Sequence, residues 1–278
     1  MTQELVFTNG RMVTPGKVIA GSLMARDGRI TALDSTSSYL PGAIDLEGDY
    51  LLPGLVELHT DNFERHLMPR PKTRWPALPA LLGHDAEVAA AGITTVYDAL
   101  GVGDTDTEGM RGQDMAPVLQ AIRHGIDCNL LRADHHLHIR CELPAANVLE
   151  LFASFEDHPL VGLISLMDHT PGQRQWMDVN QARIYYTGKK GWSDERFDQA
   201  VVSAHDLQER YAVPHRRHFV DYAHRKQIPL ASHDDTMRHH VAEAHGEGVV
   251  ISEFPTRVEA AESARAAGMS IEIGRAHV

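Results

Sequence analysis

An apolar run that ends in two metal-type ligands constrains this chain more than any other stretch. Residues 51–58 read LLPGLVEL, and His59, Thr60 and Asp61 follow them. Alternate residues of a strand share a face, so we expect His59 and Asp61 to lie together where this strand ends. Imidazole and carboxylate groups both bind divalent cations. The pattern predicts a metal site, while a buried strand that runs into a polar turn is the simpler alternative.

Composition excludes several classes of partner. The 278 residues carry a formal net charge of −12, which argues against nucleic acid because phosphate backbones attract positive charge. A phosphorylated small molecule stays compatible, since it needs only a local basic patch or a metal. Two cysteines make no disulfide framework and favour a reduced, cytoplasmic setting. We expect neither a secretory signal nor a membrane span, because no apolar run approaches ~20 residues.

The pattern of residues changes near residue 50. Residues 1–50 read as short strands with turns at Asn9-Gly10 and Asp27-Gly28, which predicts a small β-layer. Residues 51–278 alternate strands with helices, which predicts an α/β domain with a parallel sheet. We count six strands there, and Ser270-Ile271 begins a seventh. A charged helical segment at 194–226 is expected to break at Pro214.

The last residues, 272–278, read EIGRAHV and resemble the translation of a sequencing adapter. We therefore expect a truncated reading frame, with a genuine terminus as the alternative. A complete eight-stranded barrel has about 250 residues and needs an eighth strand that this chain does not reach.

Residues that bind metals or carry protons recur where the predicted strands end. Active sites of α/β barrels lie at the carboxyl ends of the strands. These ends hold Asp134, His135, His136, His138, Arg140, Glu142, Asp168, His169, His233, Asp234, Asp235 and Glu253. A single His is equally a satisfied imidazole, and a single Asp a helix N-cap. Several such endings in register favour one shared site, because charged groups are seldom buried unpaired.

Five stretches carry a resemblance to a known family. They are residues 57–62 (ELHTDN), 69–72 (PRPK), 137–144 (LHIRCELP), 166–175 (LMDHTPGQRQ) and 231–235 (ASHDD). The run that ends at His59 resembles the first-strand signature of the amidohydrolase superfamily. Together the five stretches resemble the α-D-ribose 1-methylphosphonate 5-triphosphate diphosphatase family of the carbon–phosphorus lyase pathway. The resemblance implies a distorted (β/α)8 TIM-type barrel, here with about six to seven strands, and part of a small β-sandwich.

The resemblance also implies the chemistry. A member of this family is expected to hydrolyse the ribose 5-triphosphate to the 5-phosphate and diphosphate with one or two divalent ions, Zn, Mn or Fe. The implied metal ligands are His59, Asp61, Glu142, His169 and His233. His138 competes with His169 for its role, and Asp235 is the candidate for proton handling. The family's last barrel strand carries a further Asp, to which no residue of this chain corresponds.

A triphosphate needs positive groups and donors besides the metal. The candidates are Arg70, Lys72, Arg140, Gln173 and Arg174, and the alternative for each is a solvated surface residue. The expected partner is a phosphorylated small molecule, with no nucleic acid and no membrane, and a homo-oligomer is one option. Two other functions stay open. One is an amidohydrolase that acts on a C–N bond, such as a deacetylase or cyclic amidase, and the other is an inactive truncated fragment.

Overall fold

Two compact units make up the chain in the computed structural model. The structure describes residues 4–70, 73–104 and 111–273, with the backbone alone for 111–114. The units divide between Leu55 and Val56. Lys72 and residues 274–278 of the adapter-like segment lie outside the described residues.

The first unit is a mixed sheet. Its strands are β1 (Glu4–Val13), β2 (Val18–Arg26), β3 (Arg29–Asp34), β4 (Ile44–Asp45) and β5 (Tyr50–Leu51). They are arranged in the order β3-β2-β1-β4, and β5 pairs with β1. Strands β1, β2 and β3 are antiparallel neighbours, whereas β4 and β5 run parallel to β1. In β1, buried Thr8, Gly10 and Met12 alternate with exposed residues, as a half-buried strand requires.

The predicted hairpin at Asn9-Gly10 is wrong. Strand β1 continues through both residues, and its register against β2 shifts between Phe7 and Gly10. Asn9 has φ of 52°, the left-handed conformation that Asn tolerates, and this serves a bulge as well as a turn. The chain reverses after Val13 instead, where the Thr14 backbone N–H donates to the Lys17 carbonyl at 3.0 Å. The turn predicted at Asp27-Gly28 is confirmed.

The second unit is an α/β half-barrel. Its strands are β6 (Leu55–Thr60), β7 (Ile93–Val102), β8 (Asp134–Glu142), β9 (Val161–Met167), β10 (Leu230–His233), β11 (Ile251–Glu253) and β12 (Ser270–Glu272). They are adjacent in sequence order in one seven-stranded sheet. Its helices are α1 (Asn62–Leu67), α2 (Ala77–Ala90), α3 (Arg111–Asp127), α4 (Val148–Phe152), α5 (Val179–Gly188), α6 (Asp194–Lys226), α7 (Arg238–Gly246) and α8 (Val258–Ala266). The predicted α/β class and the predicted six to seven barrel strands are confirmed.

One contact shows that this sheet curls. His59 on β6 lies 3.2 Å from Glu253 on β11, measured from Nδ1 to Oε1. Five strand spacings separate these strands in the sheet, which would put them about 24 Å apart if the sheet were flat. The sheet therefore bends round until strand ends that are remote along it meet. Apolar side chains from the outer face of the strands and from the helices form the core.

The expected break at Pro214 does not occur. Helix α6 runs as a single element through this residue, from the Ser193 side chain, which caps the helix by accepting from the Arg196 backbone N–H, to a left-handed Gln227. A proline inside a helix costs about 3 kcal/mol. Burial of one helix face, including Phe219, offsets that cost. Among the helices that the structure describes, none has the length and apolar character that a membrane span requires.

Candidate metal centre at the strand ends

Strand β8 shows how the sheet separates core from site. Its apolar residues Ile139 and Cys141 lie in the buried core beneath the helices. Successive side chains of a strand point to opposite faces, so His138, Arg140 and Glu142 face the other side. The concave face of the half-barrel therefore receives the ionisable residues.

The first imidazole–carboxylate group joins three strands. It comprises His59 from β6, His138 from β8 and Glu253 from β11. Glu253 Oε1 lies 3.2 Å from His59 Nδ1 and 3.4 Å from His138 Nε2. His138 Nδ1 lies 2.8 Å from the Leu58 carbonyl, so this nitrogen carries the proton. The other nitrogen is then an acceptor, 2.9 Å from Ser165 Oγ.

The second group lies beside the first. It comprises His169, which follows β9, His233 at the end of β10, and Asp234. Asp234 Oδ2 lies 3.4 Å from His233 Nε2 and 3.9 Å from His169 Nε2. Glu142 holds His169 from behind, since its oxygens lie 2.5 Å from the ring Nδ1 and 3.0 Å from the backbone nitrogen.

Glu253 makes the two groups one site. Its Oε2 lies 3.1 Å from His233 Nδ1, while its Oε1 faces His59. The His59 and His233 rings stack, with centroids 5.5 Å apart and planes inclined by 23°. All six members of the two groups thus form a continuous cluster inside the half-barrel.

Charges decide which nitrogens carry protons. Burial opposes the ionisation of Glu253, yet the neighbouring imidazoles of His138 and His233 outweigh it and hold the pKa of Glu253 below its ordinary value. An ionised carboxylate only accepts, so His233 donates from Nδ1 and leaves Nε2 with a lone pair. Burial lowers the pKa of His233 to about 3, so its ring is neutral near pH 7. Burial likewise lowers the pKa of His138.

Asp234 is the most strained member of the site. Its φ is 55°, and Oδ2 is buried with no hydrogen-bond partner among the residues that the structure describes. Burial raises the pKa of this carboxyl to about 6, although the charge of His169 works against the shift. Strained backbone and unpaired buried polar atoms are typical of functional sites.

The residues present fit a divalent cation. His233 Nε2 and Asp234 Oδ2 are both acceptors, yet they face each other at 3.4 Å. Two acceptors in this position repel unless a proton or a cation lies between them. Neutral imidazole and carboxylate are ordinary ligands of Zn, Mn and Fe. The donor set and the unpaired oxygen therefore match what a metal requires.

The structure relates the predicted ligands to this cluster in two ways. His59, His169 and His233 belong to the two groups directly. Asp61 adjoins them through Arg140, whose Nη1 lies 2.5 Å from Asp61 Oδ1. Glu142 adjoins them through its contact with His169.

Asp235, the residue predicted to handle protons, is already engaged. Its Oδ1 accepts from Arg174 Nη1 at 2.5 Å, and its Oδ2 from Ser232 Oγ at 2.5 Å. Ser252 Oγ lies 3.4 Å from the same Oδ2. The carboxylate turned toward the imidazoles is Asp234, its neighbour. A catalytic role for Asp235 stays a prediction, and these contacts describe a buried anchor.

The predicted substrate-binding residues differ in whether their side chains are free to bind a ligand. Arg174 is buried and donates to Asp235 and to the His233 carbonyl, so it braces the end of β10. Gln173 Nε2 and Arg140 Nε are buried and unpartnered within the described part of the chain, and both remain able to donate to a ligand. Arg70 is exposed and forms a bridge with Thr73.

Sequence reasoning left two site residues unassigned. Glu253 was visible only as an acidic residue at the end of a short strand, and nothing local shows that it meets His59 and His233. Asp234 and Asp235 are adjacent, and the sequence does not say which one turns inward. The positive φ at Asp234 reverses the usual alternation, a feature that only the backbone reveals.

Comparison with known proteins decides the family. The chain is 42% identical over 274 residues to the α-D-ribose 1-methylphosphonate 5-triphosphate diphosphatase of Escherichia coli K12. The aligned region covers 99% of this chain and 72% of that protein. The chain belongs to this diphosphatase family. No protein-family model matches it.

One solved structure supports the fold. N-isopropylammelide isopropylaminohydrolase from Burkholderia multivorans is similar with a TM-score of 0.52 and 13% identity, over 98% of this chain and 74% of that chain. A D-hydantoinase gives a TM-score of 0.47 and 19% identity over 90% of this chain, which spans 57% of that protein. Because only 13% of residues are identical, the similarity to the isopropylaminohydrolase shows the fold alone.

Proposed function

We propose that this member of the diphosphatase family hydrolyses α-D-ribose 1-methylphosphonate 5-triphosphate. One water is consumed, the anhydride bond between the α- and β-phosphates breaks, and the products are the 5-phosphate and diphosphate. The paired imidazole–carboxylate groups joined by Glu253 carry this proposal. The activity in the name of the 42% identical relative supplies the substrate.

The cofactor in this proposal is one or two divalent ions, Zn, Mn or Fe. One group would use His59, His138 and Glu253, and the other His169, His233 and Asp234. When bound, the metal supplies Lewis acidity, which activates water at neutral pH and offsets charge on phosphoryl oxygens. The predicted ligands Asp61 and Glu142 stay candidates at the rim of the two groups.

The remaining residues of the site orient the ligand histidines and neutralise charge on the substrate. Glu142 fixes the His169 ring through Nδ1, and Glu253 does the same for His233, so each Nε2 is directed toward Asp234. Carboxylates that hold ligand histidines in this way raise their basicity. Arg140 brings a permanent positive charge to the rim, where a phosphoryl oxygen can replace Asp61 as its partner.

Substrate handling extends to the loop after β9. Gln173 Nε2 offers a buried donor that no described residue uses, suited to a phosphate oxygen. Arg70 and Lys72 are proposed to meet the outer phosphates, while Arg174 acts through Asp235. We further propose a cytoplasmic enzyme, consistent with Cys128 and Cys141 as free thiols. A homo-oligomer stays a prediction.

A substrate panel tests the proposal. The purified 278-residue chain, loaded in turn with Zn²⁺, Mn²⁺ and Fe²⁺, is assayed for diphosphate release from the ribose triphosphate and from ATP, and for hydrolysis of a hydantoin and an N-acetylated sugar. We expect diphosphate release, fastest with the ribose triphosphate. Turnover of the hydantoin or the N-acetyl compound alone would favour the C–N amidohydrolase. No turnover with any metal would identify the chain as an inactive fragment.

A further inference from the structure

A second polar cluster lies on the opposite face of the sheet. His84 from α2, Asp98 from β7 and His135 from β8 are each buried. Asp98 bridges the two rings, with Oδ1 2.7 Å from His84 Nε2 and Oδ2 2.8 Å from His135 Nδ1. Unlike the metal centre, this cluster faces the helices.

Its hydrogen bonds have a fixed direction. The Asn62 amide nitrogen can only donate, and it lies 3.0 Å from His84 Nδ1, so that ring nitrogen accepts. His84 Nε2 therefore carries the proton and donates to Asp98. The same Asn62 nitrogen donates to Glu87 Oε2 at 3.1 Å. The chain of bonds thus runs from Asn62 through His84 to the centre of β7.

The far end of the cluster is closed by charge. Asp85 accepts from the backbone nitrogens of Arg132 and Ala133 at 2.8 and 3.0 Å, and its Oδ1 lies 3.4 Å from His135 Nε2. The Arg132 guanidinium lies 3.2 Å from Asp85 Oδ2. Buried ionic groups hold a geometry only when all members are paired. Both oxygens of Asp98 and both nitrogens of His84 and His135 meet this condition.

Asn62 connects this cluster to the metal centre. It directly follows Asp61, and its backbone N–H donates to Thr60 Oγ at 3.1 Å, so it begins α1 where β6 ends. On the inner face of the same junction, His59 meets Glu253 and Asp61 meets Arg140. One short turn therefore carries ligand candidates on its inner side and Asn62 on its outer side.

We propose that His84 is a positioning residue, which sets the end of β6 through Asn62 and so holds His59 and Asp61 in register for the metal. The proposal deepens the proposed function and rests on it for the identity of the metal centre. Mutation of residues that hold metal ligands in place typically changes metal affinity by about 10- to 100-fold. The cluster itself is not assigned a metal, because each of its ring nitrogens already contacts a protein atom at hydrogen-bond distance.

Two substitutions at one position separate positioning from stability. In His84→Asn, the side-chain oxygen takes the place of Nδ1 and keeps an acceptor for Asn62, but the bond to Asp98 is lost. In His84→Gln, the amide nitrogen takes the place of Nε2 and keeps the donor to Asp98, but the acceptor for Asn62 is lost. Asn62→Ala, at a half-buried position, provides a variant outside the core. Tyr222→Phe, which removes the part-buried hydrogen bond that the Asp157 backbone N–H donates to the Tyr222 hydroxyl at 3.1 Å, is the control.

Zn²⁺ affinity is measured by competition with a chromophoric chelator, together with hydrogen exchange of residues 56–67 in the metal-free chain. We expect His84→Gln and Asn62→Ala to weaken Zn²⁺ binding by about 10-fold and to speed exchange in that segment. The Zn²⁺ affinity of His84→Asn should lie within about twofold of the wild-type affinity, even if its melting temperature is lower. The Zn²⁺ affinity of Tyr222→Phe should equal that of wild type.

Three results would overturn the proposal. The first is a Zn²⁺ affinity that falls in proportion to the melting temperature across all variants. The second is an unchanged rate of hydrogen exchange for residues 56–67 in His84→Gln. The third is the loss of one whole equivalent of bound Zn²⁺, which would make the cluster itself a metal site. If wild type binds none of Zn²⁺, Mn²⁺ and Fe²⁺, the proposed function fails, and the exchange data still decide whether His84 fixes the strand end.

Discussion

At the scale of single residues, the site is built from groups that are costly to bury without a cation. Asp234 is the clearest case, because its oxygen faces a neutral imidazole acceptor and its backbone has the left-handed φ of 55°. Such residues trade stability for function. This loss of stability can be measured, since the metal-free chain should become more stable when the charge of Asp234 is removed.

Asp234→Asn is predicted to stabilise the metal-free chain at neutral pH. Burial raises the pKa of Asp234 to about 6 from an ordinary 3.8, so stability is present below pH 4 and is lost as pH rises through 6. Two pKa units correspond to about 3 kcal/mol at most. Urea unfolding should therefore show a more stable variant at pH 7.5, with the difference vanishing toward pH 4. An equal difference at both pH values would refute the account.

Glu253→Gln is predicted to weaken metal binding by about 10- to 100-fold. A carboxylate accepts from both His59 and His233, whereas an amide offers one acceptor and one donor, so one of the two rings must turn or move its proton to the other nitrogen. The matched control is Glu259→Gln, a half-exposed residue that pairs with Arg238. Isothermal titration with Zn²⁺ measures the effect. Equal affinities for the two variants would show that Glu253 does not orient the site.

Sequence reasoning reached the histidines of the site better than its carboxylates. His59 and His233 end strands, so the location of active sites at strand ends is enough to find them. Glu253 lies beside His233 because β11 pairs with β10, but it reaches His59 only because the sheet curls until β11 meets β6, and no local pattern encodes that contact. Asp98 could not be found either, since a lone Asp within a β-branched run looks like any buried polar residue.

At the scale of elements, α6 shows packing that overrides local preference. Pro214 predicts a break, yet the helix continues, and buried side chains anchor it near its start at Phe197 and beyond the proline at His215 and Phe219. Pro214 itself is exposed, so its ring meets solvent and removes one backbone hydrogen bond. Asn9-Gly10 gives the same lesson for strands, since a turn signal there becomes a bulge. The left-handed backbone expected at Asn9 is present, but the chain does not reverse there, and the break expected at Pro214 is absent.

Pro214→Ala is predicted to stabilise the chain by about 1–3 kcal/mol, because alanine restores the missing hydrogen bond in an already helical segment. Thermal unfolding of the metal-free chain measures the change, and Zn²⁺ affinity should not change. Val213→Ala, at the neighbouring exposed position, controls for the change of surface. A lower melting temperature for Pro214→Ala would show that the helix geometry depends on the proline.

At the level of the second unit, the metal centre joins side chains from strands that are far apart in the sheet as well as from paired ones. Residues from β6, β8, β10 and β11 meet at one cluster, with His169 from the loop after β9. The alternation of strands and helices was enough to predict the parallel sheet. The resemblance to a barrel also implied that the strand ends meet, but not which side chains contact each other there, because those contacts depend on the packing of all the helices together.

Metal removal is predicted to lower the melting temperature. A ligand at 100 times its dissociation constant stabilises the folded state by about 2.7 kcal/mol. Removing it also leaves buried Glu253 and Asp234 without a cation. Calorimetry before and after dialysis against a chelator measures the shift, and added Zn²⁺ should restore it. An unchanged melting temperature would argue against a cation in this cluster.

The cluster around His233 is proposed to perform the diphosphatase reaction. The most direct measurement compares diphosphate release from α-D-ribose 1-methylphosphonate 5-triphosphate by wild type, His233→Ala and His124→Ala, all loaded with the same metal. His124 is an exposed histidine on α3 and lies outside the cluster. We predict that kcat/KM falls by about 1,000-fold or more in His233→Ala and stays unchanged in His124→Ala. Equal rates for His233→Ala and wild type would contradict the assignment of the site.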